Sequence, residues 1–598
     1  MPYDANGDYI KYPNGDSNVQ NPIDNIKYNI NRRRTSNITG KVYANVDFGK
    51  VWAPLDGLKY TLQFGPEFKF IENGTFYNAL GLTGDGTNRA TLSRPQYRSW
   101  VLDNIIQYNK TIADVHHIGV TLVQSANKYH YDTLSGSNTN VATGDELWYN
   151  LGSSTDYTVS SGLTETSMAS YMARLTYNYA GLYLLTASVR RDGASQLAEG
   201  RKWATFPSVS LAWRIDQEKF MEPTANWLSS LKLRVGYGVS GNSAISAYAT
   251  KAGISQVYYM WDDQPTSIGY LSAAANKDLG WERTGQWNVG LDFGFLNNRI
   301  YGSFDYYHTK TTDLLLSKAL PTVTGFRSIY DNVGSTVGHG FDVQINAIPV
   351  KTHDFTWDLG LTWSADRSYI AELANGMQQD VANAWFVGKP IGVFYDYVYD
   401  GVWKTDETVT LADGTTADAS TYGRKTGQIK VKDLNGDGKI DGTNDRTIVG
   451  HTRPDWSGGL TSTFKYKNWD LSFFIYSRWG YTFEGGAMGL SGRYMSRSIS
   501  YFVAGYNEDA DYYAPSVGGD TYYKIQNYND GSFIKMRNIN LGYTFSRKQL
   551  ANTKISNLKV YVQLMNPFMI YKATDWYDAD LSSSVTNRSF VLGVNIGF

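Results

Sequence analysis

From about Ser36 onward the chain alternates apolar and polar positions with a period of two, the spacing of strands whose two faces meet different surroundings. Tyr171, Ala173, Leu175, Tyr177 and Tyr179 share one face, and Met172, Arg174, Thr176 and Asn178 the other. After the Ala180-Gly181 turn, Tyr183, Leu185, Ala187 and Val189 continue the apolar face while Thr186, Ser188 and Arg190 continue the polar one, which predicts a β-hairpin. The pattern returns with Leu231, Leu233, Val235 and Tyr237 opposite Lys232 and Arg234, and with Trp287, Val289, Leu291 and Phe293 opposite Asn288 and Asp292. It continues through Phe355, Trp357, Leu359, Leu361 and Trp363, then Leu471, Phe473 and Ile475, then Leu558, Val560, Val562 and Leu564. The last run sets Phe590, Leu592, Val594, Ile596 and Phe598 on one side.

This predicts roughly 16 to 18 strands, too many for one sandwich and ordinary for a large membrane barrel. The connections alternate in length. Ala180-Gly181, Asn297-Asn298 and Lys467-Asn468 are short, whereas the polar stretches 72–96, 130–166, 241–281, 369–454 and 480–530 are long. Membrane barrels have short turns on the periplasmic side and long loops outside the cell, so the long set is assigned to the exterior. The fold class expected is all-β, an antiparallel transmembrane β-barrel with long extracellular loops. A soluble all-β carbohydrate-binding or hydrolysing protein is the distant alternative, because alternation alone also suits a sandwich.

Composition sharpens this reading. Aromatic residues make up 15% of the chain, with 46 Tyr, 17 Trp and 58 Gly, which suits aromatic girdles and frequent tight turns. No run approaches the roughly 18 uninterrupted apolar residues of a membrane helix, and the mean hydropathy is -0.39. A barrel strand shows lipid only every second residue, so low hydropathy leaves a barrel open. A net charge of -1 disfavours a nucleic-acid partner, which would call for a basic stripe. With no cysteine there is no disulfide and no thiolate metal site. The opening MPYDANGDYIKYPNGD lacks the basic and apolar regions of a signal peptide.

Several ordered segments carry a family resemblance. Arg190-Arg191-Asp192-Gly193-Ala194-Ser195, then Trp203, Phe206-Pro207-Ser208 and Ala212-Trp213-Arg214, resemble the strand, external tip and returning strand of SusC/RagA-type TonB-dependent outer-membrane transporters. Leu231 to Gly238 with Ser240-Gly241-Asn242, Trp281-Glu282, Asp305-Tyr306-Tyr307, Asp313-Leu314-Leu315, Asn332-Val333-Gly334, Gly340-Phe341-Asp342, Val387 to Gly392 and Asp433 to Gly450 follow in that family's order. Phe598 matches the terminal aromatic residue of bacterial outer-membrane proteins. The resemblance implies a barrel of about 22 strands around a plug. It reads residues 1–598 as that barrel domain, incomplete at its N-terminus, with 369–454 as a long extracellular loop. It further implies active import of oligosaccharides or peptides, a SusD-like surface lipoprotein as lid, TonB-ExbB-ExbD coupling through the N-terminal part, and outer-membrane lipid as surroundings. A siderophore- or cobalamin-type receptor and a passive porin are the alternatives within transport.

Candidate chemistry is sparse. Asp433, Asn435, Asp437, Lys439 and Asp441 occupy positions 1, 3, 5, 7 and 9 of an EF-hand-like loop with Gly438 at position 6. The twelfth position is Asn444 instead of Glu, and Asp445 falls one residue late. Two readings stand, an Asx/Gly turn or a structural Ca2+ site that orders the loop. No cofactor is required. His116, His117, His130, His308, His339, His353 and His451 show no zinc-ligand spacing. No carboxylate pair is marked for glycoside hydrolysis, and the helix that a serine-nucleophile elbow needs is missing from the pattern, so no catalytic residue is assigned and the chain reads as a non-enzyme. Loop aromatics are the substrate-binding candidates: Tyr258, Tyr259, Trp261, Trp385, Phe386, Tyr395, Trp403, Tyr512 and Tyr513, accompanied by Tyr397, Tyr399, Tyr522 and Tyr523. Flat rings beside Asp, Asn and Gln suit stacking on sugars or peptides, and loop-on-loop packing is the competing use of the same rings.

Overall fold

The computed structural model describes residues 3, 10–12, 21, 23–261, 264–485, 503, 505, 507–510, 520–551, 553–574, 580 and 587–598. Among the described residues eighteen strands form one antiparallel sheet. In chain order they are β1 Asn29–Thr39, β2 Val42–Asp47, β3 Leu58–Tyr77, β4 Arg89–Ile112, β5 His116–Asn138, β6 Tyr157–Tyr179, β7 Tyr183–Ala194, β8 Trp203–Arg214 and β9 Leu228–Asn242. They continue as β10 Glu282–Phe295, β11 Ile300–Thr312, β12 Ser335–Lys351, β13 Phe355–Glu372, β14 Trp456–Tyr466, β15 Trp469–Trp479, β16 Phe533–Thr544, β17 Asn557–Lys572 and β18 Ser589–Gly597. β1 and β2 lie along the same edge of β3, as one strand interrupted at Gly40-Lys41. From β3 onward each strand pairs with the next, the up-and-down order of a barrel wall.

The expected turns sit where their residues allow them. Ala180 and Gly181 both adopt positive φ, as do Asn297 and Asn298, the latter helped by short amide side chains that tolerate the left-handed region. The predicted faces also hold. Leu361 faces Ile345 on one side and Leu460 on the other, and Leu460 faces Ile475 in turn, so one apolar row crosses four strands. These side chains stand on the outside, and many are exposed, among them Leu175, Leu211, Val289, Phe304, Phe341, Leu361 and Leu592. Water does not tolerate so large a contiguous apolar surface; lipid does.

Aromatic rings bracket the apolar band. On the short-turn side lie the stacked pairs Tyr179–Tyr183, Tyr183–Trp213 and Trp227–Phe295, with Trp469 edge-on to Tyr543. Towards the long loops lie Tyr171–Trp203, Tyr237–Trp287, Trp456–Trp479 and Trp479–Tyr571. Trp203 to Trp213, like Trp469 to Trp479, spans ten residues. At ~3.3 Å per residue and a tilt of ~40° that is about 25 Å, the height of a barrel's apolar band.

One expectation is corrected. The polar stretches 72–96 and 130–166 are largely strand: β3 runs to Tyr77, β4 starts at Arg89, β5 runs to Asn138 and β6 starts at Tyr157, leaving 78–88 and 139–156 as the connections. β4, β5 and β6 are 24, 23 and 23 residues long, about twice what a tilted membrane strand needs. Their outer halves rise beyond the apolar band and carry ion pairs such as Arg94–Glu72 and Lys128–Glu165 on the outer face, so the apolar alternation stops while the strand continues. The stretches 243–281, 373–455 and 480–532 remain long connections between strands.

Candidate functional site

The inner face of the wall is polar and internally paired. Arg234 on β9 donates to both carboxylate oxygens of Asp292 on β10, at 2.7–3.1 Å, and to both of Asp305 on β11, at 3.0 Å. Gly290 makes the crossing possible, because a Cβ there would lie 2.6 Å from the guanidinium. Arg190 on β7 reaches Asp192 on its own strand and Ser170 on β6. Near the loops Arg453 pairs with Asp366. A recess of about 310 Å³ on this face is lined by Ser303, Asp342, Gln344, Thr362, Ser364 and the rings of Phe474 and Tyr476. Hydroxyls, an amide, a carboxylate and two rings in one recess can hydrogen-bond and stack on a hydrophilic solute. Aromatic content alone did not mark these residues; the polar half of the alternation, with Gly290 set among charged inner positions, was the usable signal.

Above the wall the stretch 373–455 folds into a plate closed by short β-pairs, Val393–Tyr397 with Arg446–His451 and Tyr399–Val402 with Ile429–Val431. Residues 520–530 clamp it. Arg424 pairs with the buried carboxylate of Asp520 and lies over the Tyr522 ring, and the Tyr528 hydroxyl donates to Asp396 at 2.7 Å. Burial and that hydrogen bond push the Tyr528 phenol above its ordinary range. Ile429, Val431 and Ile525 form a small core beneath.

The substrate-binding candidates separate into distinct settings. Trp385 and Phe386 form a short strand against Gln379–Asp380; Phe386 meets Tyr395 at 4.7 Å, and Arg446 covers Tyr395 at 5.2 Å. Trp403 is 2% exposed, between Tyr422 at 5.6 Å and the Lys430 ammonium at 5.5 Å, so its ring serves the plate's interior. Tyr397 meets Tyr522 edge-on at 5.0 Å. Tyr258, Tyr259 and Trp261 belong to a separate hairpin, Gly253–Trp261 with Gln264–Ala273, and are 74%, 58% and 70% exposed. Tyr512 and Tyr513 lie outside the described residues. Of the candidates, the Tyr258 hairpin offers open rings, the Phe386–Tyr395 group half-buried ones, and Trp403 none.

The acidic loop is built from backbone hydrogen bonds. Asp433 accepts from the amides of Gly436 at 2.6 Å and Gly438 at 2.8 Å and from the Tyr422 hydroxyl at 3.1 Å. Asp437 accepts from the Lys439 amide and the Asn435 side chain, both at 2.9 Å. Asp441 accepts from Thr443 and Asn444 amides, and those bonds hold its carboxyl below the ordinary aspartate range. Asp445 is fully buried and takes the amides of Leu434 at 2.9 Å and Asp441 at 2.7 Å. Burial, then the bond to Asp433, pushes the Tyr422 phenol up to about 12. With the oxygens turned to backbone amides, these residues fit the Asx/Gly turn reading, and among the described residues no group of three or more His, Cys, Asp or Glu is gathered for a metal.

Comparisons with known proteins agree with the architecture. Residues 2–566 match the family described as TonB dependent receptor-like, beta-barrel. TonB-dependent receptor P3 of Formosa agariphila is 28% identical over 636 aligned positions, covering 100% of this chain and 61% of that protein. TonB-dependent receptor SusC of Bacteroides thetaiotaomicron is 32% identical over 474, covering 73% and 44%. The solved RagAB peptide transporter shares the fold with a TM-score of 0.84 at 20% identity, covering 100% of this chain and 66% of that one. The chain thus spans between 44% and 61% of the length of the curated relatives it matches.

Proposed function

The chain belongs to the TonB dependent receptor-like β-barrel family, whose members are outer-membrane proteins, and from that premise we propose that it forms the wall of an importer for bulky hydrophilic nutrients, oligosaccharides or peptides. The observation that carries the reading is the contrast of the two faces. Apolar side chains stand outside between two aromatic girdles, and an inner face of paired Arg, Asp, Ser, Thr and Gln stands beneath a folded plate of loops. Arg234 and Lys232 together balance Asp292 and Asp305, so neutral polar solutes pass the cluster without a counter-ion trap. The cargo moves intact, and no bond is made or broken.

Two partners follow from the same reading. Energy reaches the barrel through TonB, the dependence that names the family. A SusD-like surface lipoprotein covers the external plate; RagAB, which shares this fold, is named as a peptide transporter. The relatives' names point to SusC- and RagAB-type import and away from a passive pore.

Uptake by the source cells tests the proposal. Deleting the gene should abolish growth on one class of oligosaccharide or peptide while small sugars and amino acids still support it, and collapsing the proton gradient should reproduce the loss. Unchanged growth on all bulky substrates would reject the reading. Gradient-independent uptake would leave a pore.

A further inference from the structure

We propose that the outer face of β4–β8, above the outward aromatic girdle, holds an anionic outer-leaflet lipid by its phosphate-bearing headgroup. Two adjoining cavities carry the inference. The upper one, about 860 Å³, is floored by Lys128 on β5 with Glu165 and Ser167 on β6, and walled by Lys202, Lys251 and Lys277 from the two neighbouring connections. The register places Glu165 and Ser167 on the same face of β6 as Tyr171 and Leu175, the face turned to lipid. Below it a groove of about 430 Å³ runs across β4 to β7, lined by Ile106, Leu122, Tyr171, Ala173 and Val189, with Arg191 on its margin.

Depth and charge fit such a lipid. Ser167, opposite Lys128, lies twelve residues beyond Tyr179 at the short-turn girdle. At ~3.3 Å per residue and ~40° tilt that is roughly 30 Å, just past the ~25 Å apolar band and within the headgroup layer. Four lysines face Glu165 and Glu199 in the upper cavity. Lys128 is paired with Glu165 at 2.9 Å, while Lys202, Lys251 and Lys277 reach no carboxylate among the described residues. Between the two cavities Arg191 lies 5.7 Å from the Trp203 ring, at the level where acyl chain gives way to headgroup. An apolar groove rising into a cationic cleft matches a molecule with acyl chains below and phosphate above, and a basic pocket at headgroup depth is how membrane proteins hold anionic lipids. A soluble oligosaccharide or peptide would leave the lower groove unfilled.

The test reads lipid retention, so it stands apart from the transport reading. The full protein is placed in phosphatidylcholine nanodiscs doped with bisphosphorylated lipid A or its dephosphorylated form, and the lipid kept after extraction is quantified by native mass spectrometry. Wild type should retain the phosphorylated form selectively. A K128Q/K202Q/K251Q variant should lose retention by roughly tenfold or more, the scale of removing several headgroup-facing cations. K251Q/K277Q, with both changes in one connection, should lose part of it. K425Q/K439Q, exposed lysines of the distant plate, should behave as wild type. Equal retention of the two lipid A forms, or equal retention by all variants, would overturn the proposal. Full displacement by inorganic phosphate would assign the cleft to free phosphate and overturn it as well.

Discussion

Leu592 in the last wall strand is 65% exposed, and Trp403 in the plate over the barrel mouth is 2% exposed. Both are large apolar side chains of one chain, placed by opposite rules. In the wall the backbone ladders do the ordering and the apolar side chains point out to a solvent that is itself apolar. In the plate the solvent is water, so rings turn inward and the carboxylates outside accept local backbone hydrogen bonds. The same period of two therefore means lipid on one side of the aromatic girdle and nothing of the kind beyond it.

The comparison is broken most severely at Trp403. Trp403→Ala removes a buried ring between Tyr422 and Lys430, and such truncations cost about 3–5 kcal/mol. Hydrogen exchange should accelerate across 399–431 while the amides of β4–β6 stay protected. Loss of protection in the wall as well would mean that the two regions fold as one unit. Leu361→Arg attacks the other rule, placing a cation in the middle of the lipid band at a cost of about 2–4 kcal/mol. Urea unfolding in lipid vesicles should show that loss, with the plate's exchange unaltered.

Asp445→Ala comes next. Its buried carboxylate satisfies two backbone amides, and leaving them without an acceptor costs about 1–3 kcal/mol, confined to the plate. Adding Ca2+ or a chelator separates the two readings of Asp433, Asn435, Asp437, Lys439, Asp441 and Asp445: an unchanged wild-type melting curve fits the turn, and a calcium-dependent rise fits the Ca2+ site. Acid should act in the same place. Asp441 has its carboxyl held low by the amides of Asn444 and Thr443, and Asp418 by Ser420 and Thr421. A folded pKa below the unfolded value of about 3.9 gives stability that is full above that value and fades as pH falls through the folded one. Protection of the plate's amides, taken relative to the intrinsic exchange rate at each pH, should therefore stay constant from neutral pH down to about 4 and fall below it.

How far the sequence could be read follows the same division. Strands within the lipid band were legible because lipid and lumen impose opposite demands on alternate residues, and Leu361 and Ile475 stand in one apolar row as their patterns predicted. The outer halves of β3 to β6 were not, since both faces there meet water and ions: His130 lies between Glu165 and Asp132 where the pattern suggested a loop. In the plate, aromatic composition marked the right segments without telling a packed ring from an open one. Trp403 and Trp261 look alike in sequence, and only the partners separate them: Tyr422 and Lys430 for Trp403, and among the described residues no ring nearer than Tyr259 for Trp261. The Arg234 fork depended on three strands meeting in register, which no local window contains.

Trp261→Ala is the gentlest of these changes and the most informative about function. The ring is 70% exposed, and among the described residues its nearest ring neighbour, Tyr259, stands 6.5 Å away, so its removal opens no cavity there. Surface substitutions of this kind stay within about 0.5 kcal/mol, and the melting curve should hardly move. An exposed aromatic side chain that contributes nothing to folding is free to meet cargo or lid. If the hairpin receives cargo, Trp261→Ala paired with Tyr258→Ala should raise the concentration needed for half-maximal uptake and leave the maximal rate alone. If it instead seats the surface lipoprotein, both uptake parameters should fall together and co-purification of that partner should drop. Tyr395→Ala supplies the contrast, because its ring is already engaged by Phe386 and Arg446, and any uptake defect there should arrive with faster exchange in the plate.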